Sequence, residues 1–139
     1  RTIPPAGERG FRKLASMHAF NMAVPGIPII YYGDEIGMHG GNDPDNRKMM
    51  RFEGYSEQEQ ALWKRVAALI ELRTSSMALN YGATDLYQPR EDVLVVERTY
   101  LDDTVRFFFN NSKKDRYLGK WDITVPADDF TYQHITENK

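Results

Sequence analysis

"PGIPIIYYGDEIGMHGGNDPDNR", Pro25 to Arg47, holds most of the architectural information in this chain. It opens apolar and closes on glycines, amides and charges. Ile27 to Tyr32 is β-branched and aromatic without alternation, the pattern of a strand covered on both faces, as parallel strands are inside an α/β layer. Gly33 ends the run. Residues 34–55 then form a loop longer than compact domains ordinarily use, which marks it as functional or mobile. In α/β assemblies ligands sit beyond the carboxyl ends of the strands. The expectation is therefore a scaffold strand followed by a ligand-facing loop.

Working outward, Phe11, Leu14, Ala15 and Met22, with His18 in register, form the single stripe of an amphipathic helix over Glu8–Val24. Pro25-Gly26 stops it, and Arg1–Gly7, with Pro4-Pro5, reads as a loop. Ser56-Glu57-Gln58-Glu59 is a capping box. It opens a second helix with Leu62, Val66, Leu69, Ile70 and Met77 on one stripe, fraying near Leu79. Beyond Asn80 the pattern changes to short β-type runs at 85–88, 93–100, 104–110 and 121–125, separated by turns. The expected fold class is α/β followed by β. Residues 1–79 form one part and residues 80–139 a small antiparallel β-sandwich, with four or five strands suggesting truncation.

The 139 residues are 41% hydrophobic, 27% charged and 12% aromatic, enough for a core. A net charge of −2 offers no electrostatic footprint for nucleic acid. No stretch approaches the about 18 apolar residues of a membrane span. The absence of cysteine excludes disulfides and thiolate metal sites and suits cytoplasm, periplasm or secretion equally. Arg1–Gly10 shows no signal-peptide pattern, and a start at Arg suggests a processed chain or part of a longer one.

Gly26-Ile27-Pro28, four residues, then Gly33-Asp34-Glu35 resembles the last barrel strand of the α-amylase family of glycoside hydrolases. Gly40-Gly41-Asn42-Asp43-Pro44-Asp45-Asn46-Arg47 resembles the loop of its neopullulanase and cyclomaltodextrinase-like branch. On that resemblance, Glu8–Val24 and Ser56–Leu79 correspond to the last two helices of a TIM (β/α)8 barrel, and the rest to the β domain that follows. The resemblance implies a retaining hydrolase of α-linked glucans, whose nucleophile and acid carboxyls stand roughly 5 Å apart. Those carboxylates belong to earlier barrel strands, one of them within an Asn-His-Asp triplet absent from this sequence. Since a barrel takes roughly 250 residues, the expectation is no catalytic residue in this chain and no hydrolysis by it alone.

The implied partner is an α-glucan or maltooligosaccharide. Asp43 and Arg47 match the branch's substrate-contacting pair. Chemically they suit the role, since a carboxylate accepts from vicinal hydroxyls and a guanidinium donates in a fork. By residue type alone the plainer reading is an Asx turn at Asn42-Asp43-Pro44, with Arg47 pairing Asp43 or Asp45. His39 is a weaker candidate donor, Asp45 a loop-holding residue, and Glu35 a structural anchor at the strand end. His18 is expected on a helix–sheet interface, Trp63 against the β domain, and at least one of Tyr31 and Tyr32 in the barrel wall. No cofactor or metal is indicated: calcium is conceivable in a parent enzyme, but Asn42, Asp43, Asp45 and Asn46 lack a distant bidentate Glu. Trp121, Phe107, Phe108, Phe109 and Tyr100 read as sandwich core. The competing readings are a free-standing carbohydrate-binding β module built on those aromatics, or an interaction fragment whose strand edges pair with a partner or a second copy.

Overall fold

A computed structural model describes residues 7–136. The loop expected over residues 1–6 lies outside the described residues. Helix α1 spans Glu8–Ala23, followed by 3-10 turns at Asp34–Ile36 and Asp45–Arg47, then α2 (Glu57–Ser75) and α3 (Met77–Tyr81). Six strands complete the order: β1 (Ala83–Arg90), β2 (Val93–Tyr100), β3 (Asp103–Asn110), β4 (Arg116–Leu118), β5 (Ile123–Val125) and β6 (Phe130–Thr136).

Both long helices form where local chemistry places them. In α1 the stripe Ala15, His18, Ala19, Met22 and Ala23 is buried, and Val24, ahead of Pro25, is extended as a pre-proline residue should be. At α2 the capping box is complete: the Ser56 hydroxyl accepts from the Glu59 amide at 3.2 Å, and the Glu59 carboxylate accepts from the Ser56 amide at 2.7 Å. Leu62, Val66, Leu69 and Leu72 form its buried stripe. Ile70 and Met77, expected on that stripe, stand outward: Ile70 sits one residue past Leu69, about 100° round the helix from the buried stripe, and Met77 follows Ser76, which ends α2 and starts α3 in a new direction. Its amide donates to Leu72 O, and its hydroxyl accepts from Leu79 N.

The main sheet is antiparallel in the order β1-β2-β3-β6, and β4 pairs β5 in a separate ribbon. In the β2–β3 register Val96 faces Phe107 and Val95 faces Phe108, so alternate residues serve opposite faces. One face contributes Val96, Val105, Phe107 and Phe130 to a core shared with Ala15, Ala19, Leu62, Val66, Leu69 and Leu79 of the helices. The other packs Val93, Val95 and Phe108 against Leu118, Val125 and Trp121. The result is three layers: helices, four-stranded sheet, two-stranded ribbon. Phe107 and Phe108 are core, as expected.

Consecutive acids fasten the helices to this sheet. Asp128 accepts a fork from Arg9 of α1 at 2.7 and 3.1 Å, and Asp129 accepts one from Arg65 of α2 at 2.7 and 3.2 Å. The Arg65 guanidinium also lies 4.5 Å from the Phe130 ring centre. Asp128 has φ +52°, a conformation aspartate tolerates better than most residues, and it lets the two carboxylates diverge toward different helices.

Three expectations need correction. Ile27–Tyr32 is not a strand and is not covered on both faces. It runs without a sheet partner, with Ile27 90% and Ile29 80% exposed, while Ile30 packs on the helical core. No parallel sheet forms among the described residues, so the barrel portion expected over 1–79 is present as helices lying on an antiparallel sheet. A stave needs neighbours on either side to satisfy its backbone, and none of the described strands offers them. Trp63, expected against the β sheet, is 52% exposed, because it follows Leu62 onto the outer face of α2.

Candidate functional site

The loop from Gly33 to Tyr55 is built on two glycines that no other residue replaces easily. Gly33 has φ +90°, and a Cβ there would come within 2.7 Å of Met38 Sδ. Gly37 has φ +69°, and its Cβ would meet the Phe11 ring at 2.8 Å. Between them the 3-10 turn buries Ile36 completely, which pins the start of the loop to the helices. Glu35 folds back and accepts from the Gly33 amide at 2.8 Å, closing the turn as an anchor. Burial pushes the neighbouring Asp34 carboxyl above its ordinary range. His18 is buried on α1, with Nε2 3.1 Å from Asp34 O, so it braces this turn and not a sheet.

Past Gly40 the chain makes its second turn. Asp45 accepts from the Gly41 amide at 2.7 Å and pairs with Lys48 at 3.1 Å. The amide hydrogen bond, then Lys48, hold its carboxyl below the ordinary range, in keeping with a loop-holding role. Lys48 Nζ also donates to His39 O at 3.0 Å, and Tyr32 OH donates to Lys48 O at 3.0 Å. Lys48 thus ties the end of the apolar run to both arms of the loop. Sequence reasoning missed it, and a lone lysine in a polar loop offers no signal by which to find it.

This framework carries Asp43 and Arg47 at its outer edge. Arg47 Nε lies 3.2 Å from Asp43 Oδ1, and its NH2 donates to Oδ2 at 3.2 Å, a fork between side chains 70% and 61% exposed. The two candidates are therefore together and open to solvent. The same loop borders a cavity of about 190 Å³ lined by Tyr31, Tyr32, Met38, His39, Asn46 and Lys48, with neither Asp43 nor Arg47 in its lining. His39 also borders a larger cleft of about 480 Å³ that reaches Met49, Arg51 and Gln58 near the start of α2. Tyr31 and Tyr32 are 53% and 42% exposed in this chain, with ring centres 4.6 Å apart. The neighbouring Tyr31 phenol, then burial, raises the Tyr32 phenol above its ordinary range. Among the described residues no group of three His, Asp or Glu side chains is placed to hold a metal ion, and no helix is long and apolar enough to cross a membrane.

Chemically, two phenols and an imidazole line a small cavity, and the Asp43–Arg47 acceptor and donor forks stand paired and exposed on the same loop. That set can bind hydroxyl-rich ligands. Of the loop's carboxylates, Glu35 is turned to the Gly33 amide, and Asp43 and Asp45 are paired with Arg47 and Lys48.

No protein-family model matches the chain. It is 36% identical over 123 residues to a cyclomaltodextrinase of Geobacillus thermopakistaniensis, across 82% of this chain and 21% of that protein. It is 34% identical over 110 residues to a cyclomaltodextrinase of Thermoanaerobacter pseudethanolicus, across 75% of this chain and 19% of that protein. Its fold matches a maltogenic amylase from S. marinus with a TM-score of 0.76 and 25% identity, covering 91% of this chain and 19% of that one. The chain thus spans about a fifth of the length of these relatives. In sequence and in fold it belongs to the α-amylase family of glycoside hydrolases, matching the C-terminal portion of its members.

Proposed function

We propose that this chain is the segment of a retaining α-glucan hydrolase, of the neopullulanase and cyclomaltodextrinase-like branch, that closes the catalytic barrel and supplies sugar contacts through Asp43 and Arg47. Residues 1–79 form the end of the barrel and residues 80–139 its β domain. The observation that carries this reading is Ile27–Tyr32. From Ile27 to Tyr31 its side chains alternate, with Ile27, Ile29 and Tyr31 outward and Ile30 on the core; Tyr32 is open as well, and no described main-chain hydrogen bond uses the amides of Ile27, Ile29 or Ile30. An extended segment with one face seated and the other apolar face open is a stave whose neighbours lie elsewhere in the polypeptide. The loop that follows then faces the barrel mouth, where ligands bind.

The substrate is an α-glucan or maltooligosaccharide, and the catalytic carboxylates lie in the remainder of the enzyme. The chain alone neither hydrolyses nor transfers. The test is steady-state kinetics of the full polypeptide carrying this segment. A lost charge-assisted hydrogen bond of about 1.5–3 kcal/mol corresponds to roughly 10- to 100-fold in kcat/KM. Asp43→Ala and Arg47→Ala are expected to lose that much through KM, with kcat changed far less. Unaltered KM in both variants excludes the role.

A further inference from the structure

Two arginines lie in the core with no described carboxylate partner. Arg73, near the end of α2, donates to Met22 O at 2.8 Å, Val24 O at 3.1 Å and Gly26 O at 2.7 Å. Arg98, on β2, donates to Ala23 O at 3.0 Å and Gly82 O at 2.9 Å. Arg98 is 1% exposed and Arg73 7%. Every acceptor is a main-chain carbonyl, and all but one belong to residues 22–26, where α1 ends and the apolar stave begins.

Packing is a poor explanation for this pair. Burial lowers the pKa of each guanidinium, and Arg73 adds to the effect at Arg98. Apolar side chains of similar volume would fill the space at less cost. What guanidiniums supply here is geometry. The last carbonyls of a helix lack intrahelical partners and carry its partial negative charge. A planar fork with several fixed donors holds such carbonyls in one arrangement, as an ammonium cannot. Arg73 grips three of them on both sides of Pro25. Arg98 grips a fourth, and through Gly82 O it ties the same point to the start of the β sheet. Gly26, with φ +115°, gives the chain no stiffness of its own there.

We propose that Arg98 and Arg73 are positioning residues: a guanidinium clamp through which the β sheet sets the direction in which Ile27–Tyr32 leaves α1, and hence where the Asp43–Arg47 loop is presented. The proposal rests, for its consequence on substrate, on the assignment of that loop to sugar contact. It gives the β sheet a part in substrate binding although none of its residues reaches the loop.

The test has two readouts. In the chain itself, amide exchange is compared for Arg98→Lys, Arg98→Met and Arg73→Met at Val24, Asp34 and Met38, whose amides are hydrogen-bonded, and at Val96 and Phe107 in the central strands. The expected result is at least tenfold loss of protection at the first three with Val96 and Phe107 unchanged, and a smaller loss in Arg98→Lys. Uniform loss at all five sites, or none at Val24, overturns the clamp. In the full polypeptide, Arg98→Lys is expected to raise KM for a maltooligosaccharide at least threefold with kcat within twofold. Asp43→Ala is run beside it. If Asp43→Ala raises KM and Arg98→Lys does not, the clamp is wrong; if Asp43→Ala leaves KM unchanged, the sugar-contact assignment fails instead.

Discussion

Asp103 is the most exacting test of how the sheet and helices are joined. Its carboxylate accepts from the Ser76 hydroxyl at 2.7 Å, from the Ala78 amide at 2.8 Å and from His134 Nε2 at 2.7 Å. It therefore caps α3 from outside the helix, while Ser76 caps it from within. Ser76 is 1% exposed and Ala78 0%. Asp103→Ala strands both donors where water cannot replace the carboxylate, at about 1–3 kcal/mol for each. His134 faces solvent and recovers water, so it adds little. The expected loss is about 3 kcal/mol in urea denaturation at pH 7, with Asp103→Asn losing much less, since Ser76 and Ala78 both donate to Oδ2 and a single amide carbonyl in that place accepts from both. Burial alone would raise the Asp103 pKa, but the Ala78, Ser76 and His134 hydrogen bonds outweigh it and hold it below the ordinary value. Because the folded pKa lies below the unfolded one, about 3.9, the stabilisation is complete above the unfolded value. It is lost as pH falls through the folded one. The gap between wild type and Asp103→Ala thus narrows below about pH 4. A gap under 1 kcal/mol at pH 7, or one that widens as the pH falls, refutes this account.

Two further substitutions probe the backbone. At Gly82 an added Cβ collides with Ala78 O and with Thr99 O, both main chain, so Gly82→Ala is expected to cost at least about 2 kcal/mol in thermal or urea unfolding. Leu101, in the two-residue turn between β2 and β3, holds φ +52° while 84% exposed. Leu101→Asn removes a strain of roughly 1 kcal/mol and should raise Tm by a few degrees, read by calorimetry.

What could be read beforehand divides by the distance over which each residue finds its partner. The Ser56–Glu59 box, the stripes of α1 and α2, and the β2–β3 hairpin are all local, and each lies where sequence patterning puts it. β6 was missed because Phe130–Thr136 buries only Phe130; it is an edge strand defined by pairing with β3, and hydropathy does not report pairing. Ile27–Tyr32 was misread for a related reason. Its composition states how much apolar surface must be hidden, and leaves open what hides it. In the loop, the adjacency of Asp43 and Arg47 was legible because it is a four-residue separation. The supports of the fold were not: Arg98 and Ala23 are 75 residues apart, Arg73 and Met22 51, and Arg9 and Asp128 119.

One trace of the clamp does lie in the sequence. Leu94, Val96 and Arg98 follow the two-residue period of β2 onto one face, two apolar residues and then a cation. A charged residue continuing an inward-facing period must find acceptors inside the fold, and where helices lie on a sheet the unsatisfied carbonyls of a helix end are the nearest supply. Read that way, Arg98 points to a helix terminus under the sheet before any coordinates are seen. It also separates the two halves of the functional argument. Asp43 and Arg47 are proposed from the resemblance of their loop and tested by substrate. The residues that decide where they stand are recognised by a charge placed where the pattern calls for an apolar side chain.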